Sequence, residues 1–269
     1  MNFCDAHNHL HDARFDFCRA PILAECPWPA VVNGTHESDW DAVSGLCDTH
    51  PVLRPAFGLH PWHVARRTEK WEQTLSGFLD RYPQASIGEA GLDCWIAGHD
   101  IADQQRVFLR QWEMARERNV AITVHCVRAH EPLRQVLQKH CGPARGFLLH
   151  AYAGPPALAR FFLECGAHFS FPPYFLHERK AAQRTLFQTL PGDRILVETD
   201  APDLVPPAEH DRRSLVHPDT GMPLNHPANL VTAYEALAAL RGVSVASLAG
   251  TVEANWRRLF QLVPPGAGG

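Results

Sequence analysis

The segment FCDAHNH (Phe3–His9) is a short stretch that ends in two histidines. Residues i and i+2 of a β-strand point to the same face, so the imidazoles of His7 and His9 can reach one metal ion. We therefore predict a first strand that carries a pair of metal ligands at its C-terminal end.

Four further segments of apolar and β-branched residues also end in a residue that can bind a metal. They are SIGE (Ser86–Glu89), ITVH (Ile122–His125), FLLH (Phe147–His150) and LVETD (Leu196–Asp200). In a closed barrel of parallel strands, these ends converge on one mouth, where the active sites of that fold lie. A single histidine at a strand end is more often structural, but burying six such residues without partners would be costly. The pattern predicts a metal site made of His7, His9, Glu89, His125, His150 and Asp200.

Short apolar segments alternate with longer amphipathic ones along the chain. We predict strands near Phe3–His7, Ala30–Thr35, Val52–Phe57, Ala85–Glu89, Ala121–His125, Gly146–His150, Ala167–Phe171 and Arg194–Thr199. We predict helices at Glu69–Arg81, Asp103–Arg118, Glu131–His140, Ala157–Cys165, Glu178–Thr189, Pro227–Arg241 and Ser244–Leu262. Eight strands with helices between them favour a single-domain α/β fold, a (β/α)8 TIM barrel.

The chain of 269 residues suits one such barrel, which needs roughly 250. We predict a barrel domain over residues 1–263, followed by a frayed tail at residues 264–269. Within the domain, Ala201–Pro227 is rich in proline and charge without a clear period, which predicts a long loop.

Composition and charge argue against several classes of protein. The formal net charge of −4 argues against a broad electropositive surface and leaves only local contacts to nucleic acid. No apolar run approaches the ~20 residues that span a bilayer, and the N-terminal segment lacks the regions of a signal peptide. We therefore expect a cytoplasmic protein without membrane contact. The eight cysteines are scattered with no Cys-x-x-Cys pair, which indicates reduced thiols.

The number of ligands predicts two divalent metal ions. Four histidines and two carboxylates, with one carboxylate bridging, give each ion three or four protein ligands and leave positions for water and substrate. Two ions ~3.5–4 Å apart can activate a water molecule and neutralise charge on the attacking and leaving oxygens. The mixed nitrogen and oxygen set suits Zn, Mn, Fe or Ni, whereas Mg prefers an all-oxygen shell and fits less well.

Over nearly its whole length, the chain resembles the TatD family of metal-dependent deoxyribonucleases, within the amidohydrolase-type barrels. The matching segments are Asp5–Leu10 (DAHNHL), Gly58–Pro61 (GLHP), Ile87–Asp93 (IGEAGLD), Gln104 with Phe108 and Gln111, Val124–His125, Leu149–Tyr152 (LHAY), Val197–Pro202 (VETDAP), Asn225–Pro227 (NHP) and Asn255–Phe260 (NWRRLF). Such an ordered series is far more specific than any one of these motifs.

The resemblance implies a role for each matching residue. It places His7, His9, Glu89 and Asp200 on one ion, and Glu89, His125 and His150 on the second, so that Glu89 bridges. Asp200 would orient or deprotonate the attacking water. His60 would contact the phosphate, which completes a catalytic set of Asp200, Glu89 and His60.

Two segments depart from the family pattern and concern the substrate. The family has His-x-Arg after the fifth strand, where this chain has His125-Cys126-Val127-Arg128. Either the phosphate-binding arginine is lost, or Arg128 substitutes for it one position further along. The family's Asn-Glu-Pro is Asn225-His226-Pro227 in this chain.

Other residues near the predicted mouth are candidates for substrate contact. Trp62 and Trp95 can stack on a base, although packing between loops explains them equally well. Asp93 either orients a ligand or closes a turn. Further candidates, with ordinary loop roles as the alternative, are His36, His63, Arg212 and Arg213.

The leading hypothesis is a metal-dependent hydrolase, a deoxyribonuclease that trims single-stranded DNA ends like a 3'-5' exonuclease. The modest charge fits a site that takes a strand end better than one that clamps a duplex. One alternative is an ester or amide hydrolase of the same metal class, such as a D-aminoacyl-tRNA deacylase, because barrels of this type host many chemistries. The other is a binding component of a larger assembly. Nothing in the sequence indicates an obligate protein partner.

Overall fold

The computed structural model describes residues 2–260, in which eight parallel strands form one curled sheet. Each strand pairs with the next one along the chain, from the first to the eighth. The strands are β1 (Asp5–Asn8), β2 (Ala30–Asn33), β3 (Leu53–Phe57), β4 (Ser86–Asp93), β5 (Ile122–Val127), β6 (Phe147–Leu149), β7 (Ala167–Phe171) and β8 (Ile195–Val197). The predicted single-domain (β/α)8 barrel is confirmed. Residues 1 and 261–263 of the predicted domain, and the predicted tail at residues 264–269, lie outside the described residues.

Helices follow the strands and bury one face against the sheet. They are α1 (Arg19–Glu25), α2 (Trp40–Thr49), α3 (Trp71–Arg81), α4 (Ile101–Arg118), α5 (His130–Lys139), α6 (Pro156–Glu164), α7 (Ala181–Thr189), α8 (Leu230–Arg241) and α9 (Val245–Phe260). The sequence patterns did not predict α1 and α2. Helix α1 has only seven residues and contains Pro21, so its periodicity is weak.

The barrel closes through the main chain that follows β8. The backbone N–H of Asp200 donates to the His7 carbonyl oxygen at 2.9 Å, and the N–H of His9 donates to the Ala201 carbonyl oxygen at 2.8 Å. Asp200 has a left-handed backbone, with φ of 55°, which aspartate tolerates better than most residues. These contacts bring Asp200 beside the two histidines of the first strand.

Strand β4 is irregular where it carries Glu89, and glycines make this possible. A Cβ on Gly58, just after β3, would lie 2.7 Å from the carbonyl carbon of Gly88. A Cβ on Gly91 would lie 2.0 Å from the His125 carbonyl oxygen. Only glycine allows such close approaches, so these two positions let β4 press against both neighbouring strands. As a result, β4 continues four residues beyond Glu89, to Asp93.

The segment predicted as a loop at Ala201–Pro227 contains regular structure. A two-stranded antiparallel hairpin pairs β9 (Ser214–Val216) with β10 (Pro223–Asn225). The prediction was wrong here because each strand has only three residues, too few to show a period of two.

Two helices near the end of the described chain bear on membrane contact. No single helix within residues 2–260 has the length and hydropathy to cross a membrane. Pro227–Arg241 and Val245–Phe260 meet both criteria only when they are counted together across a 108° bend.

The buried His168, the second residue of β7, should make the stability of the fold sensitive to acid. Burial, assisted by the cations Arg194 and Arg258, lowers the pKa of His168 from 6.5 to about 4. The unfolded chain therefore takes up a proton at a higher pH than the folded chain, and stability is lost as pH falls from 6.5 towards 4. Relative to His168→Gln, the wild-type free energy of unfolding should fall by about 2–3 kcal/mol between pH 7.5 and 4.5.

Urea unfolding of both proteins at several pH values measures this difference. Other groups that titrate in this range act equally on both proteins and cancel in the comparison. Parallel stability curves for the two proteins would contradict the role of His168.

Candidate metal centre

Glu89 lies between two groups of side chains, and each of its carboxylate oxygens faces one group. Oε2 lies 3.3 Å from His7 Nε2 and 3.4 Å from His9 Nε2. Oε1 lies 2.9 Å from His125 Nδ1 and 2.8 Å from His150 Nε2. The side chain is buried, so both oxygens depend on these neighbours. Such a carboxylate is placed to bridge two cations.

Asp200 completes the group around Oε2 of Glu89. Its Oδ1 lies 3.2 Å from His7 Nε2 and 3.5 Å from His9 Nε2. Two ligands held ~2.1 Å from one ion at the tetrahedral angle are ~3.4 Å apart. The observed spacings are close to that value and longer than ordinary hydrogen bonds. The structure therefore brings all six predicted ligands together at the mouth of the barrel.

The donor atoms form three overlapping groups within which ligand atoms lie within 4.8 Å of one another. The groups are His7 with His9 and Glu89, His7 with His150 and Asp200, and His60 with Glu89 and His125. His7 and Glu89 each belong to two groups. Adjacent ions can share ligands in such an arrangement.

His7 shows directly that the site fits a metal ion. Its side chain is fully buried, and neither ring nitrogen has a hydrogen-bond partner within residues 2–260. A buried imidazole nitrogen without a hydrogen bond is costly. A cation bound at Nε2 would satisfy that nitrogen, and nitrogen and carboxylate donors are those that divalent transition metals accept.

His9 and His125 present a lone pair to the centre because their second ring nitrogen is held elsewhere. Nδ1 of His9 lies 2.7 Å from the Asn33 carbonyl oxygen, to which it can only donate, so Nε2 keeps its lone pair. Nε2 of His125 lies 3.0 Å from Asp93 Oδ2, which leaves the lone pair on Nδ1. A carboxylate that orients a metal-binding histidine in this way is a recurrent feature of metal sites.

His60 differs from the other histidines in its hydrogen bonding. Its Nδ1 accepts the backbone N–H of Trp62 at 3.1 Å, so the proton of the neutral ring sits on Nε2. Burial lowers the pKa of His60 to about 4, which keeps the ring neutral. Nε2 lies 3.4 Å from Glu89 Oε1. His60 therefore offers a hydrogen-bond donor beside the centre, rather than a ligand.

The carboxylates create a negative local potential. Burial favours the neutral form of His7, but Glu89 and Asp200 outweigh burial and raise its pKa to about 10. Burial also opposes charge on His125, yet Asp93 and Glu89 raise its pKa to about 9. The same negative potential attracts divalent cations, which would displace these protons on binding.

Asp93 is engaged within the protein on both of its carboxylate oxygens. Oδ2 contacts His125 and accepts the indole N–H of Trp62 at 2.7 Å. Oδ1 accepts the backbone N–H groups of Trp95 at 2.6 Å and Ile96 at 3.1 Å. Asp93 is fully buried. These contacts indicate that it orients His125 and closes the turn at Trp95 and Ile96, rather than making the predicted contact with substrate.

A cavity of about 900 Å³ opens onto this centre. Among the predicted substrate contacts, His60, Trp62 and Asp93 line it, whereas Arg128 does not. The backbone at Arg128 has a φ of 53°, where the chain turns towards α5. The exposed guanidinium lies 5.9 Å from the ring centroid of Trp95, so Arg128 does not replace the family arginine inside the cavity.

The remaining candidates divide into two pairs. His36 and His63 line the cavity with stacked rings whose centroids are 4.4 Å apart, and His36 Nδ1 bonds Asp39 at 2.7 Å. Arg212 and Arg213 do not line it, because they pair with Glu235 at 2.5 Å and with Glu25 at 2.6 Å. These ion pairs favour the ordinary loop role for Arg212 and Arg213.

Asp5 is a structural residue of the site that the sequence analysis missed. Its Oδ2 accepts the hydroxyl of Thr199 at 2.6 Å, and its Oδ1 accepts the N–H of Thr199 at 3.0 Å. It also accepts the N–H of His7 at 3.2 Å and the amide of Asn8 at 3.1 Å. Strand alternation puts Asp5 on the face of His7, so a signal for its role was present.

Two glutamines of α4 hold the loops beside the centre. Gln104 accepts the N–H of Asp93 at 2.8 Å and donates to its carbonyl oxygen at 3.1 Å. Gln111 does the same for Leu59, at 2.8 Å and 3.1 Å. These buried amides stand seven residues apart on one helix face and replace the pairing that a neighbouring strand would supply.

Glu198 is a buried carboxyl beside His150 that binds the backbone of the next residue. Its Oε1 accepts the N–H of Ala151 at 2.9 Å and lies 4.0 Å from Nδ1 of His150. Burial raises the pKa of Glu198 above its ordinary value. In the sequence, Glu198 stood out only as part of the segment Val197–Pro202.

Comparison with known proteins agrees with this geometry. A family model described as TatD related DNase matches residues 4–261. The 3'-5' ssDNA/RNA exonuclease TatD of Escherichia coli strain K12 is 27% identical over 258 residues, which cover 94% of this chain and 96% of the relative. Its counterpart from Erwinia tasmaniensis is 29% identical over 234 residues, 86% of this chain and 88% of the relative. The crystal structure of YJJV, a TatD homologue from E. coli, shares the fold, with a TM-score of 0.86, 23% identity and coverage of 97% and 98%.

Proposed function

Because the chain belongs to the family of TatD-related DNases, which are metal-dependent hydrolases, we propose that it cleaves phosphodiester bonds at single-stranded ends of nucleic acid, DNA foremost. The observation that carries this proposal is the position of Glu89, whose two oxygens face two separate groups of donors. The E. coli relative is named as an exonuclease of single-stranded DNA and RNA that acts from 3' to 5'. We propose the same direction for this chain.

We propose that the centre holds two divalent ions that share Glu89. His7, His9 and Asp200 would hold the first, and His125 and His150 the second. When bound, such ions supply a nucleophilic water at neutral pH and neutralise charge on the phosphate oxygens.

The chain's own residues would prepare the substrate and the water. Burial opposes charge on Asp200, but the neighbouring His7 and His9 keep its pKa below its ordinary value, so it stays ionised and can accept a hydrogen bond from the attacking water. His60 Nε2–H can donate to a phosphate oxygen, since its other nitrogen is held by Trp62.

The surroundings favour a strand end over a duplex. The cavity of about 900 Å³ is the size of a pocket for a small ligand, and a terminal nucleotide fits within it. The net charge of −4 offers no broad positive surface for the two backbones of a duplex.

Nuclease activity of metal-stripped protein, reloaded separately with Mg, Mn, Zn and Ni, tests the proposal. Labelled single-stranded DNA, double-stranded DNA and single-stranded RNA serve as substrates, and Asp200→Ala is assayed beside the wild type. We expect cleavage that requires metal, prefers single strands, shortens them from the 3' end and is lost in Asp200→Ala.

A protein that binds metal stoichiometrically but cleaves no nucleic acid with any of the four ions would overturn the proposal. Hydrolysis of an aminoacyl ester by the same preparation would then assign the centre to the ester or amide hydrolase alternative. Full activity of Asp200→Ala would contradict the role of the centre itself.

A further inference from the structure

Two tryptophans remain exposed at the mouth of the cavity. Trp62 is 48% exposed and Trp95 is 62% exposed, and both line the cavity. Exposed indoles beside a site are unusual, because tryptophan is highly buried on average. The metal centre does not account for them, since neither side chain offers it a ligand.

Asp93 links both tryptophans to the candidate metal centre. Asp93 accepts the indole N–H of Trp62 at 2.7 Å and the backbone N–H of Trp95 at 2.6 Å, while its Oδ2 also contacts His125. The ring of Trp62 lies 5.1 Å from that of His60 and 6.3 Å from that of His125, between centroids. Trp62 therefore adjoins the reacting centre.

The positive charge of Arg128 beside Trp95 indicates the class of ligand that this part of the mouth would bind. The guanidinium of Arg128 lies over the ring of Trp95, 5.9 Å from its centroid. An aromatic face with an adjacent exposed cation matches a nucleotide, whose base stacks on the ring while its phosphate meets the charge. An unpaired base can lie flat on such a face, whereas a base inside a duplex cannot.

We propose that Trp95, together with Trp62 and Arg128, is a stacking platform for the unpaired bases next to the nucleotide that is cleaved. This inference rests on the proposed function and adds the subsite that selects a single-stranded polynucleotide over a shorter substrate. Arg128, which does not enter the cavity, thus contacts the strand outside it.

The dependence of activity on strand length tests the platform. The metal-loaded enzyme is assayed on a ten-nucleotide single strand and on a dinucleotide, which has only one base beside the cleaved nucleotide. In Trp95→Ala, the ratio of kcat/KM for the long over the short substrate should fall about tenfold. Trp95→Phe keeps an aromatic face and should retain most of the ratio, whereas Trp95→Leu should resemble Trp95→Ala.

Phe17→Ala is the matched control, because Phe17 is an aromatic residue that is 45% exposed and does not line the cavity. It should leave the ratio unchanged. Arg128→Gln should make the dependence of binding on log salt concentration shallower by about 0.7. An unchanged ratio in Trp95→Ala, or equal behaviour of Trp95→Leu and Trp95→Phe, would overturn the platform.

Binding separates this inference from the proposed function. Fluorescence anisotropy of a labelled ten-nucleotide strand is measured with the Asp200→Ala protein, with and without Trp95→Ala. Binding that depends on Trp95 in a protein whose wild type never cleaves nucleic acid would support the platform and overturn the nuclease proposal. Binding that is unaffected by Trp95→Ala would overturn the platform and leave the nuclease proposal standing.

Discussion

Replacing Glu89 with glutamine is expected to reduce kcat by about 10³-fold or more, a barrier increase of at least ~4 kcal/mol. Glutamine has the same size, but its amide is uncharged and has only one oxygen. One of the two donor groups, around either Oε1 or Oε2, therefore loses its anionic ligand. Steady-state hydrolysis of single-stranded DNA and elemental analysis of bound metal measure the effect, and we expect metal content to fall together with activity.

The control for this experiment is Glu164→Gln. Glu164 ends α6, is exposed and pairs only with Arg160 among the described ion pairs, so this variant should keep full activity and metal content. Thermal unfolding of both variants checks that each is folded. Glu89→Gln with a full complement of metal and undiminished kcat would disprove the bridging role.

Replacing Asp5 with alanine is expected to lower the free energy of unfolding by about 3–5 kcal/mol. The change leaves the N–H and hydroxyl of Thr199, the N–H of His7 and the amide of Asn8 without their buried acceptor. Since Thr199 precedes Asp200, the closure between β1 and the chain after β8 should loosen. Urea unfolding measures the stability, and titration with zinc should show weaker metal binding at the same time.

Asp16→Ala provides the comparison for Asp5→Ala. Asp16 lies eight residues beyond β1 and is exposed. Among the ion pairs of residues 2–260, its side chain forms only a surface pair with Arg19 at 2.6 Å. Its loss should change stability by less than about 1 kcal/mol. If both variants lose the same small amount of stability, Asp5 does not hold the barrel closed.

Patterns among residues adjacent in the sequence were enough to predict where the candidate metal centre lies. His7 and His9 share a face because alternation along a strand is a local property. The other ligands were recognisable because each ends an apolar segment, and a parallel barrel gathers such ends at one mouth.

The roles of individual nitrogens and oxygens were not predictable in this way. Whether His60 offers a lone pair or a proton depends on the backbone N–H of Trp62, and the lone pair of His125 depends on Asp93. Both partners are visible in the sequence, but a hydrogen bond needs atoms within about 3 Å, which only the folded chain specifies. The same holds for the exclusion of Arg128 from the cavity.

The sequence by itself determined the barrel and the set of residues at its mouth, because apolar periodicity and strand ends are encoded within a few neighbouring residues. The tertiary structure alone decided how those residues are held. Asp5 and Thr199 are 194 residues apart, and Gln111 reaches Leu59 across 52 residues. Such contacts leave no local pattern, since the distance between their partners is fixed by the closure of the whole barrel rather than by the residues between them.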